Sequence, residues 1–111
     1  MKRTDGDIRV VLITAPETEV ARRLARVLLE ARAVACVSII PGVESHYWWD
    51  GRLEQSGEVM LVAKALAGTL PTVEMLVQQH HPYECPEVLA FPVTEGAEKY
   101  LAWVGGVIAG R

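Results

Sequence analysis

The chain has 111 residues, half of them hydrophobic and 23% charged, which fits one compact domain over residues 1–111 with a core from about 8 to 108, and excludes a second domain of useful size. Eleven basic against fourteen acidic residues give a formal charge of −3, a balance that disfavours nucleic acid as a partner. No apolar run approaches the roughly 18 residues of a membrane span, and the polar start, Met1 to Asp7, lacks the apolar stretch of a signal peptide, so the expected location is the cytoplasm, with no membrane partner.

Ile8–Thr14 is β-branched and continuous, as in a strand at the sheet centre. Thr14-Ala15-Pro16-Glu17 reads as a helix start, with Thr14 capping free N–H groups and Glu17 completing a capping box. Val20, Leu24, Val27, Leu28 and Ala31 then recur at helical spacing through about Ala33. Arg22, Arg23, Arg26 and Arg32 fall within this pattern and read as a solvated face, with a phosphate-binding patch as the lesser alternative. From Val34 to Trp49 the period changes to two, with Val34, Cys36, Ser38 and Ile40 on one side and Ala35, Val37 and Ile39 on the other. Pro41-Gly42 marks a bulge, and Asp50-Gly51 is a two-residue hairpin turn. The return strand begins at Arg52, loosens at Glu54-Gln55-Ser56-Gly57 and resumes as Glu58–Leu66. A second helix starts at Thr69-Leu70-Pro71 and ends before Pro82. Glu87–Val93 is a strand whose Pro92 points to an edge or a bulge. Glu98–Ile108 closes the chain as a helix with Tyr100, Trp103, Val104 and Val107 turned inward, frayed at Gly105-Gly106. The order β-α-β-β-α-β-α is an α+β, ferredoxin-like split β-α-β sandwich with an antiparallel sheet and a C-terminal helix.

One length exceeds a lone domain. Sixteen residues of strand reach about 50 Å, against a diameter of about 35 Å for a globule of this size. The hairpin therefore bends or extends past its core, and Tyr47, Trp48 and Trp49 crowd its tip. A second copy of the same chain is the expected partner there.

Chemistry concentrates in His80-His81-Pro82-Tyr83-Glu84-Cys85-Pro86-Glu87, where two imidazoles, a phenol, a thiol and two carboxylates fall in eight residues. Imidazole and thiolate suit copper or zinc, and a carboxylate completes such a site. The alternative is a stiff Pro-bounded turn whose His and Glu serve as caps and whose Cys85 is an inert thiol. Cys36 is read either as a small core residue or as a soft ligand meeting His81 or Glu84, from this or a neighbouring chain. Lys64 is either an edge residue or a buried cation needing Glu84 or Glu87. His46 is read as interfacial. Among enzyme signatures there is no Walker A, GxGxxG or nucleophile elbow.

Ala35-Cys36-Val37-Ser38-Ile39-Ile40-Pro41-Gly42, Tyr47-Trp48-Trp49-Asp50-Gly51 and His81-Pro82-Tyr83-Glu84-Cys85-Pro86-Glu87, with Glu95-Gly96, Tyr100-Leu101 and Trp103 behind them, resemble the CutA divalent-cation tolerance family. The resemblance runs from about Val10 to Trp103. It implies a ferredoxin-like homotrimer, related in architecture to PII-type signalling proteins and knitted through its sheets by the extended hairpin. It also implies a link to tolerance of copper and other divalent metals, and no catalytic activity. Cys36, His81 and Glu84 match positions of the family's metal or ligand cleft, and Tyr83 and Lys64 its recurrent polar residues. Ser38 stands where the family commonly has Asn, and Cys85 where it has an aliphatic side chain. Cys85 is read either as a further soft ligand or as a residue that packs like Val.

The resulting expectation is a cytoplasmic, non-catalytic homotrimer that binds copper or another divalent cation through Cys36, His81, Glu84 and Cys85. The alternative is a PII-like module that binds a small organic anion at a subunit-interface cleft through Lys64 and Tyr83.

Overall fold

A computed structural model describes residues 7–110. Strand β1 (Ile8–Ala15), helix α1 (Thr18–Glu30), strands β2 (Val34–Trp49) and β3 (Arg52–Leu66), helix α2 (Leu70–His80), strand β4 (Val88–Pro92) and helix α3 (Glu98–Ile108) follow in order. The strands form an antiparallel sheet ordered β2-β3-β1-β4, with the two strands of the hairpin adjacent and β4 at the far edge. This is the expected ferredoxin-like α+β arrangement. Pro92 ends the edge strand, where its missing N–H costs no ladder bond.

Residues directly opposite one another share a face of the sheet. One face carries Val11, Ile13 and Ala15 of β1 and Val59, Leu61, Ala63 and Ala65 of β3, all buried under Leu24 and Leu28 of α1 and Val73 and Val77 of α2. Among the described residues the other face is covered only at one end, where Leu101 and Val104 of α3 pack on Ile8, Ala35 and Leu66, and it is open beyond α3. Leu12, Met60 and Val62 are half-buried there, and Ile40, Leu89 and Phe91 are 48, 52 and 49% exposed.

Several local expectations change in the fold. Thr14 does not cap α1. It stays in the ladder opposite Met60, and the helix begins at Thr18 with Glu17 as N-cap and no side-chain cap bond. The helix ends earlier than the apolar pattern suggests, because Arg32 adopts a left-handed φ of 54°. Arg32 N–H then bonds Leu29 O and Ala33 N–H bonds Leu28 O, a Schellman closure. A glycine would sit there without strain, but the Arg32 side chain donates to Val107 O at 2.8 Å and ties the end of α3 to α1. Strand β3 is continuous through Glu54–Gly57, since β2 pairs with it as far as Trp49↔Arg52. Tyr100 and Trp103 lie on the exposed flank of α3, and Leu101, Val104 and Gly105 fill its buried stripe, so the helix persists through the glycines to Ile108.

The hairpin extends past the core rather than folding back. The molecule measures 51 × 25 × 22 Å, and Trp48 and Leu53 near the tip are 71 and 69% exposed. Asp50 and Gly51 take φ of 53° and 76°, the positive pair a type I′ turn requires. Two bulges set the facing of β2. The first, at Ala35, lets Ala35 and Cys36 both turn toward α3 while Val34 stays in the opposite core, so Val34 and Cys36 do not share a side as simple alternation had them. The second falls at Pro41-Gly42, with Gly42 at φ 80°.

Candidate functional site

Two polar clusters lie on the α3 side of the sheet. The larger is a groove of about 580 Å³ between the hairpin arms and the 81–87 loop. His81 anchors the loop and is only 7% exposed. Strand β4 pairs with β1 only as far as Ile13, which leaves the Thr14 carbonyl past its last rung. His81 Nε2 donates to that carbonyl at 2.7 Å, and Nδ1 accepts the Tyr83 N–H at 3.1 Å. A carbonyl can only accept and an amide N–H can only donate, so the network assigns the neutral ring with its proton on Nε2. Both ring nitrogens are thereby given to the fold.

Tyr83 stacks at a tilt on His81, with centroids 4.7 Å apart, and its hydroxyl donates to Glu58 Oε2 at 2.8 Å. Burial first, and then the hydrogen bond to Glu58 and its charge, push the Tyr83 phenol up to about 12 from its usual 10.0. Deprotonation removes that bond and sets two negative charges side by side. The contribution to stability is therefore complete below about pH 10 and is lost as pH rises toward 12. In a titration followed by tyrosinate absorbance, Tyr83 is expected to ionise near pH 12. Tyr83→Phe lowers the late-ionising amplitude by one tyrosine and leaves the contribution of Tyr100, and an unchanged late amplitude would refute the assignment.

Glu84, Cys85 and Glu87 complete the groove's loop side, with His46, Tyr47 and Trp49 on the hairpin side. Among the described residues the side chains of Glu84, Cys85 and Glu87 make no hydrogen bond or ion pair, whereas His46 Nε2 meets Glu44 Oε2 at 2.7 Å and Tyr47 pairs with Ser56 at 3.1 Å. Among the described residues no lysine or arginine lines the groove.

The smaller cluster joins Cys36, Lys64 and Tyr100. Lys64 Nζ lies 3.7 Å from Cys36 Sγ, and Tyr100 OH lies 3.5 Å from the same sulfur. The Cys36 sulfur, followed by burial, raises the Tyr100 phenol above its ordinary range, while Lys64 opposes the rise. Lys64 is thus satisfied by a thiol and not by Glu84 or Glu87. Cys36 sits opposite Lys64 and Lys64 opposite Val10, four residues along β1 from Thr14. That is about 13 Å of strand, so one protomer does not bring Cys36 to His81. Tyr83 is likewise separated from Lys64, because its hydroxyl is held at Glu58, six residues or about 20 Å along β3. The loop meets β2 at Ser45–Trp49 rather than at Ala35–Ile40.

Of the expected site residues, Tyr83, Glu84 and Cys85 share the groove, His81 fastens its floor, and Cys36 and Lys64 lie in the other cluster. Among the described residues no three His, Cys, Asp or Glu side chains are grouped to hold a metal ion. Sequence reasoning missed Glu58 as the partner of Tyr83, although the alternation of β3 sets it on the same side as Lys64. It also missed Tyr100, whose helical position read as core.

Residues 9–106 match the family described as CutA1 divalent ion tolerance protein. The chain is 43% identical over 95 residues to the divalent-cation tolerance protein CutA of Thermus thermophilus, covering 86% of this chain and 92% of that one. Among solved structures, CutA1 from Oryza sativa superposes with a TM-score of 0.88 at 37% identity, covering 90% of this chain and 92% of that one. A structure titled periplasmic divalent cation tolerance protein CutA, from Archaeoglobus fulgidus, gives 0.88 at 33% identity, covering 91% and 98%.

Proposed function

The chain belongs to the CutA1 divalent ion tolerance family, and from that premise we propose a cytoplasmic, non-catalytic homotrimer that binds copper or a similar divalent cation. The observation that carries the metal reading is the groove rim, where a thiol and two carboxylates, Cys85, Glu84 and Glu87, stand unengaged among the described residues. Thiolate and carboxylate together suit a borderline or soft divalent ion. A protomer supplies only part of a ligand set, and assembly with further copies completes it. Cys36 is a second soft donor near the open apolar face, and His81 positions the loop rather than ligating.

The open face supports the oligomer. Leu89, Phe91 and Ile40 form with Leu12, Met60 and Val62 an apolar surface flanked by an extended aromatic hairpin, the kind of surface a second and third copy cover. Two free thiols support a reducing compartment. The organic-anion alternative is disfavoured by the acidic groove and by the separation of Lys64 from Tyr83.

Copper(II) and zinc(II) calorimetry on the size-verified assembly tests the reading. Binding is expected to weaken more than about tenfold, or about 1.4 kcal/mol, in Cys85→Ser and in Glu84→Gln. Affinity unchanged in both variants would remove the groove rim from metal binding.

A further inference from the structure

Cys36, Lys64 and Tyr100 form a cluster that metal binding does not use as a unit. Cys36 and Lys64 are a directly opposed pair on β2 and β3, and the bulge at Ala35 turns the thiol to the side of α3. Lys64 Nζ lies 3.7 Å and the Tyr100 hydroxyl 3.5 Å from Cys36 Sγ. All three side chains come from one protomer, and it is α3 of the same chain, not a neighbouring copy, that brings Tyr100 to the sulfur. A half-buried lysine ordinarily takes a carboxylate partner. Among the described residues Lys64 has no such ion pair, and its amine rests against a thiol instead. The other thiol, Cys85, is exposed, and among the described residues no lysine or arginine lines its groove.

We propose that Cys36 and Lys64 are a redox modification site, at which a peroxide drives formation of a reversible sulfur–nitrogen bond, a sulfenamide, between the two side chains. In the first step the Cys36 sulfur attacks one peroxide oxygen. The S–O bond forms, the O–O bond breaks and water leaves, so the thiol is oxidised by two electrons to a sulfenic acid as the peroxide is reduced. In the second step the unprotonated Lys64 amine attacks that sulfur. The S–N bond forms as the S–O bond breaks, the departing hydroxide takes a proton from Tyr100, and the phenolate recovers one from the new nitrogen. In sum a thiol, an amine and one peroxide give a sulfenamide and two waters. A sulfenic acid condenses with a thiol or a nitrogen within reach, and here an amine on a flexible four-carbon stem already stands against the sulfur. Only a molecule little larger than water has to enter, so the site needs no open cavity. The bond halts oxidation at a stage that thiols reverse, short of the irreversible sulfinic and sulfonic acids.

Hydrogen peroxide is the probe, added with chelator present to the assembled Cys85→Ser protein, in which Cys36 is the only thiol. Chelation takes metal out of the reaction, so the outcome is independent of metal binding. The protomer mass is expected to fall by about 2 Da, the loss of two hydrogens on condensation. Trypsin is expected to stop cleaving after Lys64, so that residues 33–52 and 53–99 run as one linked species. Dithiothreitol restores both the mass and the cleavage. Lys64→Arg keeps the positive charge without the amine, and it is expected instead to gain about 16 Da and pass on to the heavier, irreversible acids. Tyr100→Phe reaches the linked product more than about tenfold more slowly. Circular dichroism verifies that each variant is folded. The proposal is overturned by oxygen addition at Cys36 with Lys64 still cleaved, by a sulfur that peroxide leaves untouched in the assembled protein, or by the same loss of mass in Lys64→Arg. An unchanged rate in Tyr100→Phe removes the phenol from the second step.

Discussion

His81→Ala is expected to lower the folding stability of the protein by about 2–4 kcal/mol, the sum of a buried cavity and a buried carbonyl left without its donor. The ring is almost wholly enclosed and uses both nitrogens, one on Thr14 O and one on Tyr83 N–H. No neighbouring strand can take over Thr14 O, because β4 stops pairing one residue earlier. The loss propagates to the groove, since Tyr83 reaches Glu58 only while its own backbone is fixed by His81. Denaturant unfolding at one fixed protomer concentration, with chelator present, measures the effect and keeps assembly constant across variants. A midpoint equal to that of the parent protein would show that the ring holds nothing together. A deficit that appears only when metal is added would return His81 to the ligand set.

The second large effect concerns the open sheet face. Leu89→Glu/Phe91→Glu is expected to convert the assembly into protomers of 12.2 kDa, read by sedimentation equilibrium against the threefold mass of the proposed homotrimer. Both side chains are about half exposed in the protomer, so the substitutions cost the isolated fold little. Each large apolar side chain that an interface finishes burying contributes about 1.5–3 kcal/mol at most, and the introduced carboxylates must shed water besides. Repeated at every interface of a closed ring, this weakens association by more than about a thousandfold. An unchanged mass would place the contact surface elsewhere, with Trp48 and Leu53 at the exposed hairpin tip as the next apolar candidate.

The metal expectation marks the limit of what local sequence carries. Tyr83, Glu84 and Cys85 were recognisable because local sequence placed them on one Pro-stiffened loop, and a short rigid loop keeps neighbours together whatever surrounds it. Cys36 was not referable to that loop, because its place depends on strand order. With β3 and β1 lying between β2 and β4, the strand that carries Cys36 reaches the loop only through the outer hairpin, past the bulge at Pro41-Gly42.

From sequence alone came the elements, the type I′ turn at Asp50-Gly51 and the overlong hairpin, with Pro92 pointing to either an edge or a bulge. Each of these rests on backbone rules or on period, which act between residues near in the chain. The tertiary structure alone decided the facing of Cys36, which the one-residue bulge at Ala35 turns from the α1–α2 core to Lys64 and Tyr100. It alone gave His81 its task, because the unpaired Thr14 carbonyl exists only once β4 stops short of it. Register and strand end-points are settled by which side chains can be buried together across the whole sheet. No window of neighbouring residues carries that information.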